Sequence, residues 1–288
     1  MEYVTLNNGV KMPKIGLGVF RVTDQREAEE MVYQAIETVG YRLIDTATAY
    51  GNEEAVGKAL ARVSVPREEI FVTSKLWVSD VKDGYEGAKR GLARSLAKLG
   101  LNYIDLYLIH QPVGDLYGAW RYLTEAYKAG KIRAIGVDNF SQGQLADFIH
   151  FNEVKPAINM VETNVFYQRE EDHKAMKDRG VQMEAWAPFA AGSGNIFELP
   201  DLKSLADKYG KTVGQVILRW FMQRDIIAIP KTVRVERMRE NLDVFDFELS
   251  AEDMALIATL DQGPRANIRD TADGFDKWME AISQYSVD

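Results

Sequence analysis

A chain of 288 residues, 46% apolar and 27% charged, has the composition of an ordinary globular protein with a sizeable core, which excludes a disordered chain. Forty-three acidic against 35 basic residues leave a net charge of −8, so a nucleic acid is not expected as partner. With no cysteine, disulfides, thiolate metal sites and cysteine nucleophiles are excluded together.

Residues 1–13 lack the cationic start and apolar core of a secretory signal, and no stretch reaches 18 uninterrupted apolar residues. A cytoplasmic protein with no membrane partner is expected. A hairpin is predicted over 3–12, turning at Asn8-Gly9. Short apolar runs then alternate with longer amphipathic stretches, beginning with the run 14–17. Ala28, Met31, Val32, Ala35, Ile36 and Val39 recur at helical spacing, and 41–45 follows as a buried strand. A helix carrying Val56, Ala59, Leu60 and Val63 precedes the run 70–75, and Leu92, Leu96 and Leu99 precede 104–110. Further runs at 132–137, 157–162, 181–185 and 226–230, each flanked by helical patterns, bring the strands to eight. No Pro/Gly/Ser-rich linker divides them, so the prediction is an α/β fold: one domain over 1–288, a closed parallel (β/α)8 barrel. A doubly wound open sheet shares this periodicity and stays open as an alternative, because strand order is not written in it.

Asp45, Lys75, His110, Asp138, Asn139, Glu162 and Lys231 stand at the carboxyl ends of predicted strands. In a barrel those ends converge on one mouth, where active sites are built. Taken singly, each residue is equally well explained as a cap, a solvated loop residue or a core histidine; the set points to chemistry. His150 and His173 lie far from His110 and from each other, with no His-x-x-x-His spacing, so no metal is expected. Gly16-Leu17-Gly18 opens like a dinucleotide fingerprint, but Arg21 stands in place of the third glycine and a Rossmann site is rejected.

The run Asp45-Thr46-Ala47-Thr48-Ala49-Tyr50-Gly51-Asn52-Glu53, then Lys75-Leu76-Trp77, then Leu106-Tyr107-Leu108-Ile109-His110 resembles the aldo-keto reductase superfamily, within it the branch of bacterial diketogluconate reductases and prostaglandin F synthases. The resemblance extends over residues 6–261. It implies a TIM barrel with an N-terminal β-hairpin and a C-terminal tail bordering the substrate, NADP(H) as cofactor, small aldehydes or ketones as substrates, and a monomer. It also implies a catalytic tetrad of Asp45, Tyr50, Lys75 and His110.

Elementary chemistry supports those roles. A carbonyl that accepts hydride becomes an alkoxide, so the site must supply a proton and donors aimed at the developing charge. Tyr50 would give the proton; its ordinary pKa of about 10 is too high for this near neutrality, and the Lys75 ammonium is expected to lower it. Asp45 would keep Lys75 charged and in place. His110, neutral, would hydrogen-bond the substrate oxygen.

For the cofactor the resemblance implies contacts from Gly18, Val19 and Phe20 after the first strand, from Asp45, and from Asp138, Asn139 and Met160 around the carboxamide. It further implies Trp186 beneath the nicotinamide, Ala187, Phe189 and Ser193 in a small-residue loop over the pyrophosphate, and Lys231, Thr232, Val233, Arg237, Glu240 and Asn241 at the adenosine phosphate. Arg237 can fork onto phosphate oxygens while Lys231 acts as a point charge, which favours NADP(H) over NAD(H). Three residues depart from the family pattern: Trp186 replaces a tyrosine, Asp138 a serine and Met160 a glutamine. Asp138 can still accept from an amide, whereas Met160 offers only a weak sulfur acceptor. Phe20 and Trp77 would wall a pocket for small or flat carbonyl compounds, with Tyr50 and His110 at its base.

The tail 262–288 shows little recognisable pattern. Two other functions fit parts of the chain: an NADP(H)-binding sensor or structural protein with little turnover, and a barrel aldolase forming a Schiff base on Lys75. The complete tetrad opposes the first, and Asp45 beside the amine opposes the second.

Overall fold

The computed structural model describes residues 1–263 and 271–285. Strands β1 (Tyr3–Thr5) and β2 (Lys11–Pro13) pair antiparallel, with Thr5 opposite Lys11. Their connection is longer than a two-residue Asn8-Gly9 turn. The Leu6 N–H donates to Val10 O and the Gly9 N–H to Leu6 O, while Gly9 takes φ +85°, the left-handed position that closes a three-residue loop. Val4, Leu6 and Met12 pack against Leu43, Phe71 and Ala134 near the strand starts, so the hairpin plugs the amino-terminal end of the barrel.

Eight parallel strands follow in chain order: β3 (Leu17–Gly18), β4 (Leu43–Asp45), β5 (Phe71–Leu76), β6 (Ile104–Ile109), β7 (Ile132–Asp138), β8 (Ile158–Glu162), β9 (Gln182–Trp186) and β10 (Ile227–Ala228). Each pairs with its predecessor, and the ends join: the Gly16 N–H donates to Ala228 O at 3.0 Å and the Ala228 N–H to Lys14 O at 2.9 Å. This closure, with no reversal of strand order, rules out the open doubly wound sheet. The first predicted run, 14–17, is shifted: Ile15 makes only an isolated bridge to Ala228, and the regular strand begins at Leu17. Gly16 is needed there for close approach, since a Cβ would fall 2.5 Å from Leu43 Cγ.

The strands read as continuous apolar runs because both faces are buried. Leu43, Leu106, Leu108, Ile158, Met160 and Ile227 fill the interior, while Ile44, Val72, Tyr107, Ile109, Val137 and Val161 pack outward in the cluster that includes the helix residues Ala28, Met31, Val32, Leu92 and Leu123. The tail is more regular than expected. Helix Ala272–Ile282 is capped by Thr271, whose hydroxyl accepts from the Gly274 N–H. It sets Trp278, Met279 and Ile282, together with Tyr285, against Ala49, Trp77 and Val78. Phe275, Trp278, Met279 and Ile282 keep the i, i+3, i+4, i+7 spacing that marks such a helix. The rest of the tail, 264–270 and 286–288, lies outside the described residues. No described helix is long and apolar enough to cross a membrane.

Candidate active site

Asp45, Asp138, Glu162 and Trp186 end their strands, Lys75 stands one residue before the end of β5, and His110 follows β6. Parallel pairing brings all of them to one mouth. Tyr50 comes from the short 3-10 turn Thr48–Tyr50 after β4. Two contacts fix that turn: the Thr48 hydroxyl donates to Lys75 O at 2.7 Å, and the Asn52 amide donates to Val19 O at 3.0 Å and Val22 O at 3.1 Å.

The four residues of the expected tetrad come together. Lys75 Nζ donates to both Asp45 carboxylate oxygens at 2.7 Å, to Thr46 O at 3.0 Å and to the Tyr50 hydroxyl oxygen at 3.2 Å. Lys75 and Asp45 are 0% and 1% exposed, so each ion has lost its hydration and the bidentate contact must compensate. Burial works against the Lys75 ammonium, but Asp45, Tyr50 and Asp138 more than reverse this and raise its pKa. The amine is therefore charged, the opposite of what a Schiff-base lysine needs.

Tyr50 departs from expectation. Burial raises its pKa, Lys75 opposes, and Asp45 and Asp138 add to the burial effect, so the net shift is upward. The loss of hydration around the phenol outweighs the nearby cation. The phenol therefore keeps its proton, with the Lys75 ammonium 3.2 Å from its oxygen.

His110 is held by its own backbone, whose N–H donates to Leu76 O at 3.1 Å and whose carbonyl accepts from the Asn139 amide at 3.3 Å. Burial and then Lys75 lower its pKa well below the ordinary histidine value, so the ring is neutral. Its Nε2 lies 3.8 Å from Asp138 Oδ2, too far for a direct hydrogen bond. Ring centroids lie 4.9 Å apart for Phe20 and Tyr50, 5.6 Å for Tyr50 and His110, 4.9 Å for His110 and Trp77, and 5.8 Å for Trp77 and Tyr285. These rings make one aromatic wall, contributed by five separate segments.

The expected cofactor residues divide into groups. Phe189, Lys231, Thr232, Arg237, Glu240 and Asn241 line one cavity of about 360 Å³, to which Phe197 and Thr212 also contribute. Lys231 and Arg237 have no ion-pair partner there among the described residues, whereas Glu240 accepts from the Thr212 hydroxyl at 2.5 Å. Val233 stands exposed beside them. Ala187, Ala190 and Ala191 all take positive φ, near 50°, a conformation costly for a residue with a Cβ. Within this loop the Ser193 hydroxyl turns back to Ala190 O.

Trp186 donates its indole N–H to Asn139 Oδ1. Gly18 and Val19 are buried, and their N–H groups are taken by Pro230 O and Asp45 O, so of this segment only Phe20 is exposed. Met160 is 1% exposed within the barrel interior, between Asp138 and Glu184 in the sheet register.

Glu184, on β9, is a further acidic residue that no sequence motif marks. It is fully buried, and neither carboxyl oxygen has a hydrogen-bond partner among the described residues. Burial, with Asp45 next, raises its pKa well above the ordinary value against the pull of Lys75. The available signal was an acidic residue inside the apolar run 181–185.

The chain is similar to known proteins in sequence and fold. The Aldo/keto reductase family model matches residues 14–262. The glyoxal reductase of Bacillus subtilis is 46% identical over 265 residues, covering 92% of this chain and 94% of its own. The methylglyoxal reductase of Escherichia coli is 43% identical over 265 residues, with 91% and 94% covered. A Bombyx mori aldo-keto reductase solved in complex with NADP superposes with a TM-score of 0.87 at 35% identity, covering 93% of this chain and 96% of that one.

Proposed function

The chain belongs to the aldo/keto reductase family, and from that footing we propose that it reduces small aldehydes or ketones to alcohols with NADPH, Tyr50 acting as general acid. The observation that carries this reading is the Lys75 ammonium, 2.7 Å from both Asp45 oxygens and 3.2 Å from the Tyr50 hydroxyl, beside a neutral His110 at the barrel mouth. NADP(H) fits the remaining residues: Lys231 and Arg237 bring cations without ion-pair partners among the described residues to a cavity bordered by Phe189, suited to a phosphorylated adenosine. When bound, the cofactor supplies the hydride.

The chain's own residues supply the rest. His110 donates from Nε2 to the carbonyl oxygen and orients it. Tyr50 passes its proton to that oxygen as charge develops, and Lys75 stabilises the phenolate at once. Asp45 holds Lys75 in place. Trp77 and Phe20 exclude water from the reacting groups and restrict the pocket to small carbonyl compounds. Relatives named for glyoxal and methylglyoxal reduction support small dicarbonyls as the first substrates to try.

The test is NADPH oxidation followed spectrophotometrically with glyoxal, methylglyoxal and a panel of aldehydes and ketones. Turnover with NADPH well above that with NADH is expected. Absence of turnover with every carbonyl, in protein that binds NADPH, would leave the binding-protein alternative standing.

A further inference from the structure

Asp138 is an acidic residue at the mouth to which the proposed mechanism assigns no step. It ends β7 with its side chain buried and its Oδ2 3.8 Å from His110 Nε2. The next residue, Asn139, accepts from the Trp186 indole at 3.0 Å and donates to His110 O at 3.3 Å. Asp138 thus stands beside His110, and its chain neighbour Asn139 ties this edge of the site to the Trp186 ring. It is also close enough to act electrostatically on both Tyr50 and Lys75. A nicotinamide that passes hydride to a carbonyl held by Tyr50 and His110 must bring its reactive carbon within about 3–3.5 Å of that carbonyl. A ring so placed would come close to the edge of the site that Asp138 and His110 share.

We propose that the Asp138 carboxylate is the counter-charge for the oxidised nicotinamide ring, so that the site favours NADP+ over NADPH more than a neutral residue there would allow. This rests on the cofactor assignment above. In the forward reaction a hydrogen with two electrons leaves the ring for the carbonyl carbon, and the Tyr50 proton goes to the carbonyl oxygen. The ring passes from neutral to cationic and Tyr50 from phenol to phenolate. A carboxylate within a few ångströms favours the cationic ring by about tenfold or more, the scale on which such a charge shifts an ionisation.

Serine, the residue expected here from the family pattern, could bind a carboxamide but would not respond to ring charge. Met160, in register with Asp138 on β8, likewise offers no amide in place of the usual glutamine. At this edge of the site the sequence has exchanged a neutral hydroxyl and a neutral amide for an acidic side chain and a thioether. The consequence is a pull of hydride toward the carbonyl and a slower release of the oxidised cofactor.

Calorimetric titration of the wild type, Asp138→Asn and Asp138→Ser with NADP+, NADPH and 2′-phospho-ADP-ribose tests this. The last ligand lacks the ring, and the ratio of NADP+ to NADPH affinity cancels everything the shared phosphates contribute. Both substitutions are expected to lower that ratio about tenfold or more, with the ring-free nucleotide bound as before. An unchanged ratio, or equal weakening of all three ligands, would overturn the proposal. A wild type that binds NAD(H) but neither NADP+ nor NADPH would instead overturn the cofactor assignment itself.

Discussion

The indole N–H of Trp186 donates to Asn139 Oδ1 at 3.0 Å, joining the end of β9 to the residue after β7 across the mouth. Asn139 sits at φ +65°, a conformation its short amide side chain tolerates better than most residues. The larger ring that replaces the family's tyrosine is therefore locked in orientation. Trp186→Phe keeps a stacking face and loses the bond, which is worth about 1 kcal/mol. The NADPH dissociation constant should rise roughly fivefold by calorimetry; an unchanged value would mean that the ring is positioned by packing alone.

Tyr50→Phe removes the proposed acid while leaving the aromatic wall. Carbonyl reduction should fall by about two to four orders of magnitude, with NADPH affinity within twofold of the wild type. Retained turnover would reject Tyr50 as the donor.

Replacing Lys75 with methionine leaves the Asp45 carboxylate buried without its partner. Chemical denaturation should record a loss of about 3–5 kcal/mol. The pair Asp45→Asn with Lys75→Met should recover much of that stability and none of the activity. A double variant no more stable than Lys75→Met would show that the two charges are not energetically coupled.

Glu184 makes stability depend on pH in a definite direction. Its folded pKa lies above the unfolded value, so its stabilising effect is complete below the unfolded pKa, near 4.5, and is lost as pH rises toward the folded value. Across that window the wild type should lose about 1.4 kcal/mol per pH unit from this group. Glu184→Gln should escape the loss, so its advantage in thermal midpoint should grow as the buffer moves from pH 5 to pH 8. Parallel midpoint curves for the two proteins would contradict a proton held on Glu184.

Lys231 and Arg237 are proposed to select the cofactor by its extra phosphate. Arg237→Ala should raise the NADPH Michaelis constant by about tenfold or more, in keeping with the loss of a charge-assisted, forked contact. The constant for NADH should change little. An equal effect on both cofactors would place Arg237 away from the 2′-phosphate.

The strands were legible because each is buried on two faces, which leaves an uninterrupted apolar run that local composition can reveal, as at Ile104–Ile109. Polar residues that close those runs, Asp45, Lys75 and His110, were legible for the same reason: they interrupt an apolar pattern at a place where a barrel gathers its strand ends. The helix Ala272–Ile282 carried a readable pattern too, in Phe275, Trp278, Met279 and Ile282, and was missed because it follows a stretch without apolar rhythm.

Other properties belong to no segment. Closure of β3 onto β10 depends on how strand twist and register accumulate around the whole sheet, so periodicity left barrel and open sheet equivalent. The direction of the Tyr50 shift is a balance between one adjacent cation and the hydration removed by everything packed around the phenol; the cation could be named from sequence, the surroundings could not. Residue identity determined which groups could donate, accept or carry charge. Only the folded chain decided how far apart they stand and how much water remains between them, and the strength of every electrostatic effect at the mouth follows from those two quantities.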